Sequence, residues 1–337
     1  MNEREIIQHI ASLADLSDTS VVQGIGDDCA VIKKDSSSVW LLTMDTLIEG
    51  VHFDRSWHPP DLLGRKTVSV NISDIAAMGG QPRCILLSLG MPQGFDDQWF
   101  AAFSRGVAEA SRQYGCFLAG GDTVHSPNGY TFTVTAIGEA LQNQVVYRSG
   151  AQAGDLIWVS GLLGNAAAGL ELCRNKITKK PEYEELLQAH LNPAARVDVG
   201  QQLAKCGVVH AMMDMSDGVA TDLAHLCRQS QLGATVRTEL LPLSSALLAA
   251  SQELQLSAEH LALTGGEDYE LLFAVSPQHV STIEHIARKG ELAFCCIGQF
   301  EEGKEVSLVA ENGAKRSISD GGFDHFKSPS PLSSSSR

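Results

Sequence analysis

Residues 60–80 read PDLLGRKTVSVNISDIAAMGG. Pro60-Asp61 is a helix start signal, Gly79-Gly80 a stop, and the spacing between them predicts a helix over 62–78. Asn71 and Asp74 are three apart and so share a face of that helix. Around them stand Val68, Val70, Ile72, Ile75 and Ala76, which makes the face partly buried. An acid in such a position is unusual cargo for a helix.

Working outward, Ile6, Ile7, Ile10 and Leu13 recur at helical spacing and predict a short helix before everything else. The runs 20–25 and 39–44 are brief and β-rich, and each stops at acids, Asp27-Asp28 and Asp45. Downstream, a helix over 96–113 feeds the apolar run 116–119, which stops at Gly120-Gly121-Asp122. A strand over 131–137 leads to turn-rich sequence at 148–150 and 154–155, which sets a domain boundary there. The expected units are residues 1–149, residues 150–327, and a Ser/Pro-rich disordered tail over 328–337.

In the second unit the sequence predicts a strand over 156–159, a helix over 164–173, and a polar stretch over 176–185. Asp214, Ser216 and Asp217 follow, with Ser216 or Asp217 as the N-cap of a helix over 219–228. Gly265-Gly266-Glu267-Asp268 then precedes a strand over 269–275, a helix over 279–288 and a closing strand over 293–297. This alternation is that of an α/β (α+β) chain.

A chain of 337 residues is long for one domain and comfortable for two. With 44% hydrophobic and 19% charged residues it can bury real cores. No apolar run approaches the roughly 18 residues of a bilayer span, and MNEREIIQHI lacks the layout of a signal peptide. The eight cysteines show no C-x-x-C spacing. A cytoplasmic protein without zinc is expected, Cys295-Cys296 being strand packing. A formal charge of -15 argues against nucleic acid as a partner.

The same charge poses a problem for any phosphate ligand, and the acids resolve it. Singly, Gly-Asp is turn chemistry and Asp caps helices. Together, acids at several strand ends of an α/β sheet converge on one cleft. Two such charges ~4 Å apart repel by about 4 kcal/mol at an effective dielectric near 20. Hard oxygen ligands of this kind suit magnesium, which in turn binds phosphates. The G-x-x-x-x-G-K-[ST] and G-x-G-x-x-G fingerprints and the kinase catalytic-loop motifs are missing.

The segments GIGDD (24–28), MDT (44–46), EGVHF (49–53), VNISDIAAMG (70–79), GGDT (120–123), RSG (148–150), SDG (216–218) and GGEDYEL (265–271) resemble the thiamine-monophosphate kinase family. Several are shared with its wider superfamily of aminoimidazole ribonucleotide synthetase-like ATP-binding enzymes. The resemblance implies a two-domain fold of that type. Its N-terminal sheet pairs with a second subunit's into a dimeric β-barrel, its C-terminal domain is α+β, and ATP lies between the domains. It implies transfer of phosphate from ATP to thiamine monophosphate in a homodimer with Mg2+, with no membrane partner and no catalytic nucleophile of the protein's own.

Carried over by position, the metal ligands are Asp28, Thr43, Met44, Asp45, Asp74, Asp122, Asp214 and Asp217. The ATP contacts are Gly121, Asp122, Arg148 and Ser216, and the acceptor contacts are His52, Glu267 and Phe323. Met44 stands where members often carry Thr, leaving its carbonyl to serve. Phe323 stands where Tyr or Trp is expected and keeps a stacking face. Read without the resemblance, His52 is a satisfied histidine, Arg148 a solvated turn residue, and Asp27 and Asp268 are turn formers. The alternatives are another superfamily enzyme and a non-catalytic nucleotide or metal sensor.

Overall fold

The computed structural model describes residues 3–14 and 18–318. Its first part runs α1 (Glu3–Leu13), β1 (Val21–Gln23), β2 (Ala30–Lys33), β3 (Ser38–Ile48), α2 (Pro60–Ala77), β4 (Gln81–Met91), α3 (Asp97–Gln113), β5 (Phe117–His125) and β6 (Thr131–Leu141). These strands form a six-stranded sheet in the order β1-β2-β3-β6-β4-β5. Only β4 and β5 pair parallel; the other neighbours are antiparallel. Along β6, Phe132, Val134 and Ala136 are buried while the residues between them are half-exposed, the period of two that one covered face imposes.

The second part runs β7 (Leu156–Val159), α4 (Asn165–Arg174), α5 (Glu184–Leu191), α6 (Val197–Cys206), β8 (Val209–Asp214), α7 (Val219–Ser230) and β9 (Gly233–Arg237). It continues with α8 (Ser245–Leu254), α9 (Ala258–Thr264), β10 (Leu271–Val275), α10 (Val280–Gly290), β11 (Cys295–Glu301), β12 (Val306–Val309) and β13 (Lys315–Ser317). Its seven-stranded sheet has the order β13-β12-β9-β11-β7-β10-β8. The chain is thus a two-domain α/β protein, and among the described residues neither sheet closes on itself.

Helix α2 lies where the two domains meet. It packs on β3, β4 and β6 on one side and on α5, α6 and β8 on the other. Its buried residues therefore run round the whole helix and include Lys66, Thr67, Ser69, Asn71 and Ser73. Two glycine contacts bring α3 against it: a Cβ on Gly64 would stand 2.1 Å from the Phe103 carbonyl oxygen, and one on Gly106 1.9 Å from that of Asp61. Gly200 of α6 does the same against Ala76, at 2.0 Å.

Some local expectations give way to pairing. Strand β3 does not stop at Asp45; it runs on to Ile48, in register with β6 from Ser38↔Leu141 to Ile48↔Thr131. Strand β5 likewise passes through Gly120-Gly121-Asp122 to His125, because β4 offers a continuous ladder alongside. The N-cap of α7 is Gly218, at φ 100, rather than Ser216 or Asp217. The capping acceptor comes instead from Asp222, whose Oδ2 accepts from Asp217 N at 3.2 Å and Gly218 N at 3.0 Å. The strand expected from 269 starts at Leu271, since Tyr269 has φ 50 and cannot extend it. The strand over 293–297 is β11, and it is not the last. Phe323 and the tail over 328–337 lie outside the described residues.

Gly106→Ala is expected to destabilise the protein by about 1–3 kcal/mol despite alanine's better helix propensity, since backbone cannot yield as a side chain can. Urea denaturation followed by tryptophan fluorescence checks it, and unchanged stability would show that α2 and α3 can separate freely.

Candidate active site

Three carboxylates meet beside α2. Asp28 stands just before β2, Asp74 in the last turn of α2, and Asp214 at the end of β8; one oxygen from each lies within 4.8 Å of the others. Each is held by a neighbour. Thr43 Oγ1 donates to Asp74 Oδ2 at 2.5 Å, and Ser73 Oγ to Asp214 Oδ2 at 2.5 Å. Arg148 Nε donates to Asp28 Oδ1 at 2.9 Å, with Nη2 on the same oxygen. The Arg148 amide faces both oxygens of Asp27, at 3.3 and 3.2 Å. Asp45 adjoins the group: its amide donates to Asn71 Oδ1 at 2.8 Å, and its charge acts on both Asp74 and Asp214.

The protein alone leaves this cluster electrostatically unbalanced. Burial, and then the charges of Asp214, Asp45 and Asp28, push the Asp74 carboxyl well up. Burial and the neighbouring Asp28 raise Asp214 to about 7, against the Ser73 hydrogen bond. Asp27 also rises to about 7, by burial and then Asp28. Asp28 is pushed up by burial, with Arg148 opposing. The C-terminal end of α2 adds partial negative charge beside Asp74. Asp28 Oδ2 is buried and has no hydrogen-bond partner among the described residues. Hard, crowded carboxylate oxygens with one of them orphaned fit a divalent cation.

The remaining sequence-predicted residues are placed elsewhere. Met44 is 63% exposed and alternates with Thr43 and Asp45 along β3, so its side chain takes the opposite face. Across the sheet, Thr46, Thr133, Ser88 and Asp122 form one row, next to the row Asp45, Val134, Leu87, Gly121. Asp122 lies on β5, every residue of which is exposed. A Cβ on Gly121 would stand 1.9 Å from the Leu87 carbonyl oxygen, so close strand approach by itself calls for glycine there.

Ser216 and Asp217 sit in the turn after β8, which is zipped to residues 265–270: Glu267 N donates to Ser216 O at 2.8 Å and Tyr269 N to Met215 O at 2.9 Å. His52 Nδ1 accepts from the Ile48 amide at 3.0 Å within the 48–53 turn. Glu267 is at ion-pair distance from Lys66, 2.8 Å, and from His190, 3.0 Å. Asp268 accepts from the Gly164 and Ala166 amides and so caps α4 from a distant segment.

Sequence reasoning did not single out Ser73, Lys66, His190 or Asp222. For Ser73 and Lys66 a signal existed, since both lie on the same predicted helix as Asp74. His190 gave none, because its role arises from tertiary placement, whereas Asp222 is a local acceptor for the Asp217 and Gly218 amides in the first turn of α7. All eight cysteines are free thiols. Cys29 lies against the cluster, where burial and the surrounding acids push its thiol well up and leave it inert.

Residues 26–140 match the family model described as AIR synthase related protein, N-terminal domain, and residues 152–311 match the corresponding C-terminal domain. A thiamine-monophosphate kinase of Haemophilus influenzae is 38% identical over 331 residues, 97% of this chain and 98% of that protein. The chain belongs to the thiamine-monophosphate kinase family. Another member, from Buchnera aphidicola of Acyrthosiphon pisum, is 36% identical over 96% of this chain and 98% of its own length. A solved structure described as AaThiL complexed with AMPPCP and TMP superposes with a TM-score of 0.85 at 35% identity, covering 96% of this chain and 97% of that one.

Protons compete with a cation for these carboxylates, so the thermal shift produced by magnesium should grow between pH 5.5 and pH 8. The sign follows from the raised folded values: Asp27 and Asp214, ordinarily at 3.8, sit at about 7 in the metal-free fold. That fold therefore loses stability as they ionise through this window, and a cation restores it. Buried His58 and His190 also titrate abnormally, but they affect both arms alike and cancel in the difference. Differential scanning fluorimetry in EDTA and in magnesium checks it. Asp214→Asn should remove most of the increment, and a shift independent of pH would count against a carboxylate-held cation.

Proposed function

We propose that this chain phosphorylates thiamine monophosphate with ATP, giving ADP and thiamine diphosphate in one in-line displacement. The observation that carries the reading is the meeting of Asp28, Asp74 and Asp214, from three separate segments, in a chain of this family. A phosphate oxygen of the acceptor attacks the γ-phosphorus, the bond to the β–γ bridging oxygen breaks, and ADP leaves with that electron pair. Positioning and neutralisation of charge are the main requirements, so no covalent nucleophile of the protein enters.

Asp28, Thr43, Asp45, Asp74 and Asp214 are the residues we assign to Mg2+, with the Met44 carbonyl, Asp122 and Asp217 completing the set. Magnesium bound there supplies charge neutralisation and alignment of the two phosphates. Arg148, now on Asp28, is within the same cluster and can turn one N–H edge toward phosphate oxygens. Gly121, Asp122 and Ser216 join it as ATP contacts. His52, Glu267 and Phe323 are the acceptor contacts. Glu267 offers a carboxylate to the N–H donors or positive ring of thiamine, and Phe323 a face for stacking.

Residues 1–149 and 150–327 are the two domains in this reading, with ATP between them. The unpaired side of β5 supports a homodimer that continues the first sheet into a barrel with a second subunit. All of its residues are exposed, and Phe117, Leu118 and Val124, with Leu86 on the adjacent β4 and Met44 farther along the sheet on β3, are apolar. An edge of this kind is a ready template for pairing. No helix of the described residues is long and apolar enough to cross a membrane. The free thiols fit a reducing cytoplasm.

The deciding experiment follows thiamine diphosphate formation from ATP and thiamine monophosphate with magnesium omitted and then restored. Product that appears with magnesium and vanishes without it is expected. Binding of ATP and magnesium with no product would overturn the kinase reading in favour of a sensor. Asp45→Asn and Asp122→Asn should each lower turnover at least about a hundredfold with the fold intact. Wild-type turnover in either would remove that residue from the site. His52→Ala should raise the KM for thiamine monophosphate and leave that for ATP unchanged; the opposite pattern would misplace the acceptor.

A further inference from the structure

The Lys66 side chain on α2 is fully buried, where lysine is seldom found unless paired. Its Nζ lies 2.8 Å from Glu267 Oε1 and donates to the His190 carbonyl at 3.1 Å. His190 Nδ1 lies 3.0 Å from Glu267 Oε2, so Lys66 and His190 flank the two carboxylate oxygens. Burial and the neighbouring ammonium push the His190 and His58 imidazoles down, which keeps both rings neutral near pH 7. Burial alone would raise the Glu267 carboxyl, yet Lys66 and His190 outweigh it and hold it well below the usual range. The pair crosses between domains, Lys66 from the first sheet's helix and Glu267 from the segment before β10.

The backbone at Glu267 is unusual as well. Glu267 has φ 69 and Tyr269 φ 50, both in the region that favours glycine. Such conformations persist only where surrounding contacts over-determine them. Here the Ser216 and Met215 carbonyls take the Glu267 and Tyr269 amides, and the Met215 amide returns to Glu270 O at 2.8 Å. A Cβ on Gly266 would stand 2.3 Å from Ser216 O, so the two segments meet backbone to backbone. The main chain of Glu267 is thereby fixed on one side and its carboxylate on the other. The side chain still keeps 23% of its surface exposed, enough to be reached by a ligand.

We propose that Lys66, seconded by His190, is a positioning residue for the phosphoryl acceptor, holding the Glu267 carboxylate in one orientation before the acceptor arrives. The ligand chemistry it serves is an acceptor bearing N–H donors or a positive ring. Lys66 and Asp74 stand on the same rigid helix, about 12 Å apart along its axis, so acceptor and metal sites share one frame. The inference rests on the reading of Glu267 as an acceptor contact.

The test is steady-state kinetics of Lys66→Met, Glu267→Gln and the double variant, with KM measured separately for thiamine monophosphate and ATP. Lys66→Met should raise the acceptor KM about 10- to 100-fold, as loss of an outer supporting contact does, with little change in the ATP KM. The double variant should be no worse than Glu267→Gln, because Lys66 acts only through that carboxylate. A merely structural lysine would move both KM values together, or give multiplying effects in the double variant, and either overturns the proposal. If Glu267→Gln raises the acceptor KM and Lys66→Met does not, positioning fails while the Glu267 reading stands. If Glu267→Gln leaves the acceptor KM unchanged, both fail. Should Lys66→Met not fold, the charge-free double variant replaces it. An acceptor KM equal to that of Glu267→Gln then supports the proposal, and a further rise overturns it.

Discussion

A helix buried on every side has to find a partner for each polar group it carries, and α2 carries many. A buried donor or acceptor left unmatched costs roughly 1–3 kcal/mol, so these pairings are a condition of folding. Lys66 is met by Glu267 and the His190 carbonyl, Ser69 by the Tyr114 hydroxyl, and Asn71 by the Asp45 amide. Ser73 meets Asp214, and Asp74 meets Thr43. The partners belong to the C-cap of α3, β3, α5, β8 and the segment before β10, in both domains. Satisfying one helix therefore fixes the distance between the domains and, with it, the geometry of the site.

The same helix accounts for the charge of the cluster. Asp74 is brought against Asp214 and Asp28 because Ser73 and Thr43 tie β8 and β3 to α2. Arg148 relieves Asp28 but leaves Asp28 Oδ2 orphaned and the other carboxylates mutually repelling. The fold thus holds anions together at a cost that a divalent cation relieves. A chain of formal charge -15 can in this way bring up a polyphosphate without a basic patch.

A cluster of acids was legible in part: Asp28, Asp45, Asp74 and Asp214 each interrupt or end an apolar run, and the carboxylates of Asp28, Asp74 and Asp214 come together while Asp45 adjoins them. The mechanism of convergence was less so. Strands β3 and β5 run past their acids, since a full-length partner outweighs a local glycine or aspartate. The acids Asp45 and Asp122 consequently sit within strands, on adjacent rows of one sheet. Helices α5, α6, α8 and α9, and strands β2, β4, β9, β12 and β13, were not read from the sequence; apart from β4 they are short or follow polar sequence such as residues 176–185. Lys66 stood on the same predicted helix as Asp74, but its partners lie 124 residues or more along the chain and could not be named from sequence. Gly218 stands at the N-cap of α7 with a positive φ, and Asp222, not Ser216 or Asp217, accepts from the Asp217 and Gly218 amides.

The two ends of α2 carry opposite electrostatic conditions, and this separates the tasks of the site. Toward its C-terminus, crowded carboxylates exceed the positive charge beside them, which favours a cation and, through it, phosphate. Toward its N-terminus, Glu267 is already matched by Lys66, so a second hard cation there would have to displace an ammonium that cannot reach water. A divalent cation is therefore favoured at one end and disfavoured at the other, which in the proposed function leaves Glu267 for weaker, directional contacts with the acceptor. The zipped segments 214–218 and 265–270 join the two ends through backbone hydrogen bonds. In the proposed reading, the spacing between a metal-held phosphate and an acceptor at Glu267 is set by main chain and by a rigid helix, which is what in-line transfer between two anions requires.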